Sequence, residues 1–291
     1  MDALWIILTG MLVAGACAIP GCFLVLRRLS LLGDAISHSV LAGIVLAFLI
    51  SGSRGLLPML LGAMVLGLLT TLLTDFFYHR GKTPHDAALG VSFTAFFALG
   101  VVLIAQYADK IDLDVDCVLY GEILTAPFNR IVLGSFDLGP RSIWIMGGMT
   151  LVNAAVVAYF FTPLKIATFD PDYARAIGVP VRALHYLLML LVSFTTVTAF
   201  ENVGAILVVA FLTVPPNTAY LLTNRLSTMV GLAVLCGCLS AVGGYFAAAA
   251  WNVSISGAMV VMSGVLFALA ALFAPRHGVL PRYWAQRRLA Q

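Results

Sequence analysis

The chain has 291 residues, of which 62% are hydrophobic and only 10% are charged, and its mean hydropathy is +1.04. Soluble domains carry about 25% charged residues, so this composition excludes a soluble globular protein of this length. The net charge of +3 at pH 7 is small and spread among apolar residues, which argues against a nucleic-acid-binding protein.

Apolar stretches long enough to cross a bilayer follow one another along the chain. A spanning helix needs about 20 mostly apolar residues, and nine stretches approach or exceed this length. They cover residues 4–26, 31–50, 56–78, 87–107, 143–161, 184–200, 203–222, 226–250 and 258–273. The sequence therefore predicts an all-α membrane protein, a polytopic bundle of about nine transmembrane helices that forms a single domain over residues 1–291. Eight or ten spans stay open, because residues 108–141 could hold a half-inserted helix.

The Lys and Arg residues divide unequally between the two sides that nine spans define. Twelve of the 16 lie on the side of the C-terminal tail and four on the other side. Because cytoplasmic connections carry the excess of these residues, we expect the N-terminus outside and the C-terminus in the cytoplasm. Met1-Asp2-Ala3 carries no positive charge, so we expect the first apolar stretch to remain as a span.

Two ionisable residues, Asp34 and His38, lie four positions apart in the second predicted span. On a helix they share one face about 6 Å apart, and ionisable residues inside spans are candidates for function. A carboxylate with an imidazole suits Mn²⁺, Zn²⁺ or Fe²⁺ better than Mg²⁺ or Ca²⁺. Two copies facing each other across a dimer axis would supply four ligands. The alternative is a hydrogen-bonded pair that only ties helices together, and spacing alone does not choose between them.

The other ionisable or sulfur-bearing residues of the spans favour structural roles. Asp75 lies near the inner end of the third span, where an interfacial pair with Arg80 is the expected arrangement. Cys236 and Cys238 have metal-pair spacing, but no other Cys or His is near them in sequence. We interpret them as small hydrophobic side chains packed inside the bundle.

The segment 108–141, on the predicted outer side, is acidic. Its candidate docking residues are Asp112, Asp114, Asp116 and Glu122. One interpretation is a solvated loop with a short amphipathic helix near 115–124. The other is a docking rim or a cation-attracting vestibule, and both stay open.

A second segment, 168–180, has the pattern of a short, capped helix on the predicted cytoplasmic side. Asp170 suits the N-cap, Pro171 the first helical position, and Gly178 the left-handed position after the helix. Pro180 prevents continuation. The segment is either an ordered loop or a coupling helix that sits in a groove on a partner protein. Its residues are Asp170, Pro171, Asp172, Tyr173, Ala174, Arg175, Ala176, Ile177 and Gly178.

Three stretches of the chain form a recognisable set, namely RRLSLLGDAISHSVLAG (27–43), FDPDYARAIGVP (169–180) and VGAILVVAFLTVPPNTA (203–219). Together they resemble the signature of the manganese/zinc/iron ABC uptake permeases. They occur in the expected order across most of the chain. The chain departs from the pattern at Pro215-Pro216-Asn217, where one proline followed by small residues is expected, and at Glu201.

The resemblance implies a permease of the cobalamin-importer architectural type in a bacterial inner membrane. It implies a second permease subunit (the same chain or a paralogue), two copies of a cytoplasmic ABC ATPase subunit and an extracytoplasmic metal-binding protein. It also implies that Asp34 and His38 are metal ligands on the translocation path, and that residues 170–178 dock on the ATPase. The metal would be transported manganese, zinc or iron, with no permanently bound cofactor.

Two other functions are weaker interpretations of the sequence. An ion-coupled secondary transporter could use Asp34 and His38 as a proton relay, but the capped cytoplasmic helix would then be unexplained. An intramembrane enzyme would need a nucleophile–base pair or a metalloprotease motif, and the sequence shows neither. The chain also lacks a Walker-type nucleotide-binding loop, so ATP hydrolysis is expected on a separate subunit.

Overall fold

The computed structural model describes residues 2–52, 56–107, 123, 130–133, 136–274 and 278 of the chain. Within these residues the chain forms eleven helices and one two-stranded antiparallel sheet. The helices are α1 (Asp2–Leu26), α2 (Leu32–Ser51), α3 (Leu56–Gly81), α4 (His85–Tyr107), α5 (Arg141–Tyr159), α6 (Phe161–Phe169), α7 (Pro171–Ala176), α8 (Val181–Val203), α9 (Ala205–Leu222), α10 (Leu226–Trp251) and α11 (Ile255–Phe273). The strands are β1 (Arg130–Leu133) and β2 (Phe136–Pro140).

Nine helices of the described residues are long and apolar enough to cross a membrane, namely all except α6 and α7. This confirms the predicted bundle of nine spans, because a stretch of about 20 apolar residues can satisfy its own backbone in lipid only as a helix. The predicted boundaries agree with the observed helices to within a few residues.

The first helix is the centre of the bundle. Of the apolar stretch of α1, 78% is buried inside the bundle, whereas only 22% of the apolar stretch of α4 is buried. It packs against α5, α8, α9 and α10, whereas α2 packs between α3 and α4. Large apolar side chains such as Leu151 and Val102 are exposed on the outer faces. Such faces are unfavourable in water and suit contact with lipid or with a neighbouring subunit.

A proline inside α1 explains one buried polar contact. Pro20 has no N–H, so the carbonyl of Ala16 loses its donor four residues further along the helix. Asn153 of α5, which is fully buried, donates from Nδ2 to this carbonyl at 2.8 Å. The same Nδ2 donates to Oγ1 of Thr195 on α8 at 2.8 Å. One side chain thus satisfies the freed carbonyl and joins α1, α5 and α8.

The two consecutive prolines of α9 lie inside a continuous helix. Pro216 leaves the carbonyl of Leu212 without its helical donor, and Gly21 of α1 packs against that carbonyl. A Cβ added at Gly21 would lie 2.3 Å from the Leu212 oxygen. Close packing of α1 on α9 therefore depends on glycine at position 21.

Two features of the fold differ from the expectation. The acidic segment 108–141 contains a β-hairpin, β1–β2, which directly precedes α5. The polar stretch after α5 begins with an extra helix, α6. The predicted short helix near 115–124 lies outside the described residues, apart from position 123.

Candidate metal site

The turn before α2 places the candidate ligands near one end of the bundle. Arg28 adopts the left-handed conformation at φ 60°. The N–H of Leu29 donates to the Leu24 carbonyl at 2.8 Å, and the N–H of Arg28 donates to Val25 at 3.1 Å. These two bonds form a Schellman motif, which ends α1 and satisfies its last carbonyls. The chain then reverses and α2 begins at Leu32.

The structure brings Asp34 and His38 together in the first two turns of α2. Asp34 Oδ1 and His38 Nε2 are 3.5 Å apart, which is long for a direct hydrogen bond. Two ligands bonded to one tetrahedral ion at about 2.1 Å stand about 3.4 Å apart. The spacing therefore suits two ligands of one ion at least as well as a pair bonded to each other.

Two aromatic side chains of α4 hold the imidazole of His38. Phe93 stacks on it with ring centroids 5.8 Å apart, and Phe97 meets it edge-on at 5.5 Å. The hydroxyls of Ser37 and Ser39 donate to the carbonyls of Gly33 and Ile36 in their own helix, so the hydrogens of both hydroxyls are already engaged.

The pair is an incomplete metal site within the part of the chain that the structure describes. Among the described residues, no group of three or more His, Cys, Asp or Glu side chains is placed to hold a metal ion. The side chains of His38 and Asp34 are 39% and 47% exposed, so both keep an open side. Further ligands would come from water, from another subunit or from residues outside the described part of the chain.

The predicted pairing of Asp75 with Arg80 is wrong. Asp75 Oδ2 lies 3.2 Å from Nε2 of His185. His185 lies near the start of α8, more than a hundred residues later in the chain. The carboxylate side chain is 16% exposed, because it is turned toward the neighbouring helix rather than along its own helix surface. No local spacing in the sequence indicated this contact.

The capped helix forms as the sequence predicts. The Asp170 carboxylate accepts a hydrogen bond from the Tyr173 N–H at 2.9 Å, and Pro171 is the first helical residue. Gly178 follows the helix at φ 81°. Its N–H donates to the Arg175 carbonyl at 3.1 Å. The helix α7 is thus fixed at both ends by its own residues.

One side of α7 is anchored and the other is open. Ala174 is fully buried, whereas Tyr173 and Ile177 are 55% and 49% exposed, and Ala176 is exposed beside them. Arg175 and Asp172 form an exposed ion pair at 2.6 Å. An ordered apolar surface therefore faces away from the bundle.

The remaining candidate residues lie either outside the described residues or within the packed helix α10. Asp112, Asp114, Asp116 and Glu122 all lie outside the described residues. Cys236 is buried and Cys238 half-buried within α10, and both are free thiols, which agrees with their interpretation as packed side chains.

Comparison with known proteins places this geometry in context. Residues 3–274 match the model of the ABC 3 transport family. The manganese transport system membrane protein MntD of Bacillus subtilis (strain 168) is 47% identical over 278 residues, which cover 96% of this chain and 94% of that protein. The zinc transport system membrane protein TroD of Treponema pallidum (strain Nichols) is 43% identical, covering 98% of this chain and 77% of that protein.

A solved structure gives the same architecture. PsaBC from Streptococcus pneumoniae, in complex with Fab, superposes with a TM-score of 0.78 at 33% sequence identity. The match covers 97% of this chain and 94% of that chain. The similarity therefore extends over the whole bundle.

Proposed function

This chain belongs to the ABC 3 transport family, and on that premise we propose that it is the transmembrane permease subunit of an ATP-binding cassette importer for a divalent transition metal. Its relatives are named as manganese and zinc transport membrane proteins, and the resemblance of its motifs adds iron to the candidate cargoes. Nothing in these similarities favours an ion-coupled secondary transporter.

The open Asp34–His38 pair is the observation that carries the proposal. A carboxylate and an imidazole at 3.5 Å form half of a four-ligand site for Mn²⁺, Zn²⁺ or Fe²⁺. An importer must also release its cargo, so a site with few protein ligands is suited to transport. In this proposal both side chains face a central path near a dimer axis rather than lipid.

The partners follow from the permease role. Two copies of a cytoplasmic ABC ATPase subunit would dock on α7, because its apolar residues Tyr173 and Ile177 are exposed on an ordered helix. The second permease subunit would be the same chain or a paralogue. An extracytoplasmic metal-binding protein would deliver the ion at the acidic outer segment, through Asp112, Asp114, Asp116 and Glu122. The whole of residues 1–291 would act as one permease domain, with the C-terminus in the cytoplasm of a bacterium.

The test is metal uptake by the transporter reconstituted with its ATPase in liposomes. His38→Ala and Asp34→Asn should each reduce uptake of Mn²⁺, Zn²⁺ and Fe²⁺ by more than the roughly 10- to 100-fold that a change beside a metal ligand costs. Asp86→Asn is the matched control, because Asp86 is an exposed carboxylate in the first turn of α4.

Subunit assembly should be unchanged in all three variants, since the side chains of His38 and Asp34 are 39% and 47% exposed and Asp86 is exposed. Normal uptake by His38→Ala, with assembly intact, would contradict the proposal.

A further inference from the structure

A large cavity at the predicted cytoplasmic end of the bundle is unusually rich in arginine. It has a volume of about 940 Å³ and lies between the ends of α1 and α3, the starts of α4 and α8, and the helices α6 and α7. Its arginine, aspartate and histidine lining residues are Arg27, Arg28, Arg175, Arg182, Asp75, His85 and His185. Four arginines therefore face one carboxylate, so the cavity disfavours cations.

Two acidic side chains at the cavity already have partners. Asp75 is paired with His185 at 3.2 Å, and Arg175 is paired with Asp172 at 2.6 Å. Arg27, Arg28 and Arg182 form no ion pair with any other described residue. Three guanidinium groups are thus left without a counter-charge in this part of the chain.

Arg27 is the most informative of the three, because it is half-buried. Its Nε donates to Oγ1 of Thr168 at 3.1 Å, but its Nη2 is buried and has no hydrogen-bond partner in the described part of the chain. Burial lowers the pKa of Arg27 from its ordinary value. A buried charged donor without an acceptor is unfavourable. An anion bound beside Arg27 would therefore stabilise its guanidinium group.

The neighbouring Arg28 has a strained backbone conformation. It occupies the left-handed position of the Schellman motif at φ 60°, where glycine is the usual residue. A side chain with a Cβ is strained there. The residue in this strained position is an arginine that lines the cavity beside Arg27.

We propose that this cavity binds a phosphate group, with Arg27 as its buried ligand and with Arg28 and Arg182 at its open side. Guanidinium forks match phosphate oxygens in both charge and geometry. Basic pockets between transmembrane helices on the cytoplasmic side bind anionic lipid headgroups. The phosphate comes from such a headgroup or from free phosphate in the cytoplasm. The inference goes beyond metal transport and does not depend on it.

The experiment measures the thermal unfolding midpoint of the purified transporter complex in nanodiscs. One arm compares phosphatidylcholine nanodiscs with nanodiscs that also contain phosphatidylglycerol. The other arm adds inorganic phosphate to the phosphatidylcholine sample, with chloride at equal ionic strength as the reference. The expected result is a midpoint higher by a few degrees in at least one arm.

Three variants make the result specific. Arg27→Gln and Arg182→Gln should lose the rise, and the exposed position of Arg182 keeps the test valid if Arg27→Gln does not fold. Arg225→Gln is the matched control, since Arg225 is exposed, precedes α10 and does not line the cavity. It should keep the full rise.

The two arms distinguish the source of the phosphate. A rise only with phosphatidylglycerol identifies a lipid headgroup, and a rise with inorganic phosphate identifies the free anion. No rise in either arm would overturn the proposal, as would an equal rise in Arg27→Gln, Arg182→Gln and the wild type. Loss of ATPase co-purification in Arg27→Gln and Arg182→Gln, with no effect of phosphate on the wild type, would assign the cavity to an acidic protein segment instead.

Discussion

At the scale of single residues, the most testable contact is the hydrogen bond from Asn153 to the carbonyl that Pro20 leaves free. Asn153→Ala removes the donor and leaves the buried Ala16 carbonyl without a partner. A buried unsatisfied group costs about 1–3 kcal/mol in soluble proteins, and hydrogen bonds between membrane helices average about 0.6 kcal/mol. We therefore expect Asn153→Ala to lower the free energy of unfolding by about 1 kcal/mol.

The control is a double-mutant cycle with Pro20→Ala. Alanine at position 20 restores an N–H that can donate to Ala16 within α1, so Asn153→Ala should cost less in that background. Unfolding of the four proteins in detergent, followed by circular dichroism, gives the coupling. Equal costs in both backgrounds would show that the freed carbonyl is not what Asn153 satisfies.

Residue contacts also mark what the sequence could and could not predict. Asp34 and His38 were predictable as a pair, because residues four apart on a helix are neighbours. The expected pair of Asp75 with Arg80 on the same helix was wrong, since the observed partner of Asp75, His185, belongs to another helix. A contact between helices depends on how they pack, and the spacing along one helix does not contain that information.

At the scale of elements, α7 shows that a short helix is predictable when its ends are encoded. Asp170, Pro171 and Gly178 each satisfy a terminal backbone requirement, and all three take the expected positions. The hairpin β1–β2 was not predicted, because it lies in a charged segment without a regular alternation of apolar residues. The bundle itself required only the lengths and composition of its apolar stretches.

The exposed side of α7 leads to a prediction for coupling. Ala176→Glu places a charge beside Tyr173 and Ile177 on the surface proposed to meet the ATPase. We expect metal-stimulated ATP hydrolysis and uptake to fall together while the bundle stays folded, because Ala174 and not Ala176 anchors the helix. Both activities are measured on the variant co-purified with its ATPase.

Ala87→Glu provides the matched control for this change. Ala87 is exposed at the start of α4, on the same predicted side of the membrane, and lies outside α7. Its variant should keep normal turnover and uptake. Normal assembly together with normal turnover in Ala176→Glu would mean that α7 is only an ordered loop.

At the scale of the whole molecule, the fold confines the candidate ligands to one open surface. α2 packs between α3 and α4, and the two helices α2 and α3 approach so closely that a Cβ at Gly43 would lie 2.5 Å from the Gly62 carbonyl. Movement of α2 alone would break this packing. Access to Asp34 and His38 is therefore expected to change through the relation between subunits rather than through rearrangement inside one chain.

This arrangement predicts the metal stoichiometry of the assembled transporter. A tetrahedral ion needs four ligands, and each chain supplies only Asp34 and His38, with no third His, Cys, Asp or Glu grouped with them in the described residues. Two permease subunits that face each other would complete one site. Equilibrium dialysis of the assembled complex against Zn²⁺ should then give one bound ion for two permease chains.

An assembly with His38→Ala in one subunit keeps three ligands, so its affinity for Zn²⁺ should fall by at least about 10-fold. Asp86→Asn in one subunit should leave the affinity unchanged. One ion bound per chain, with half of the sites unaffected in the mixed assembly, would show that each subunit completes its own site with water.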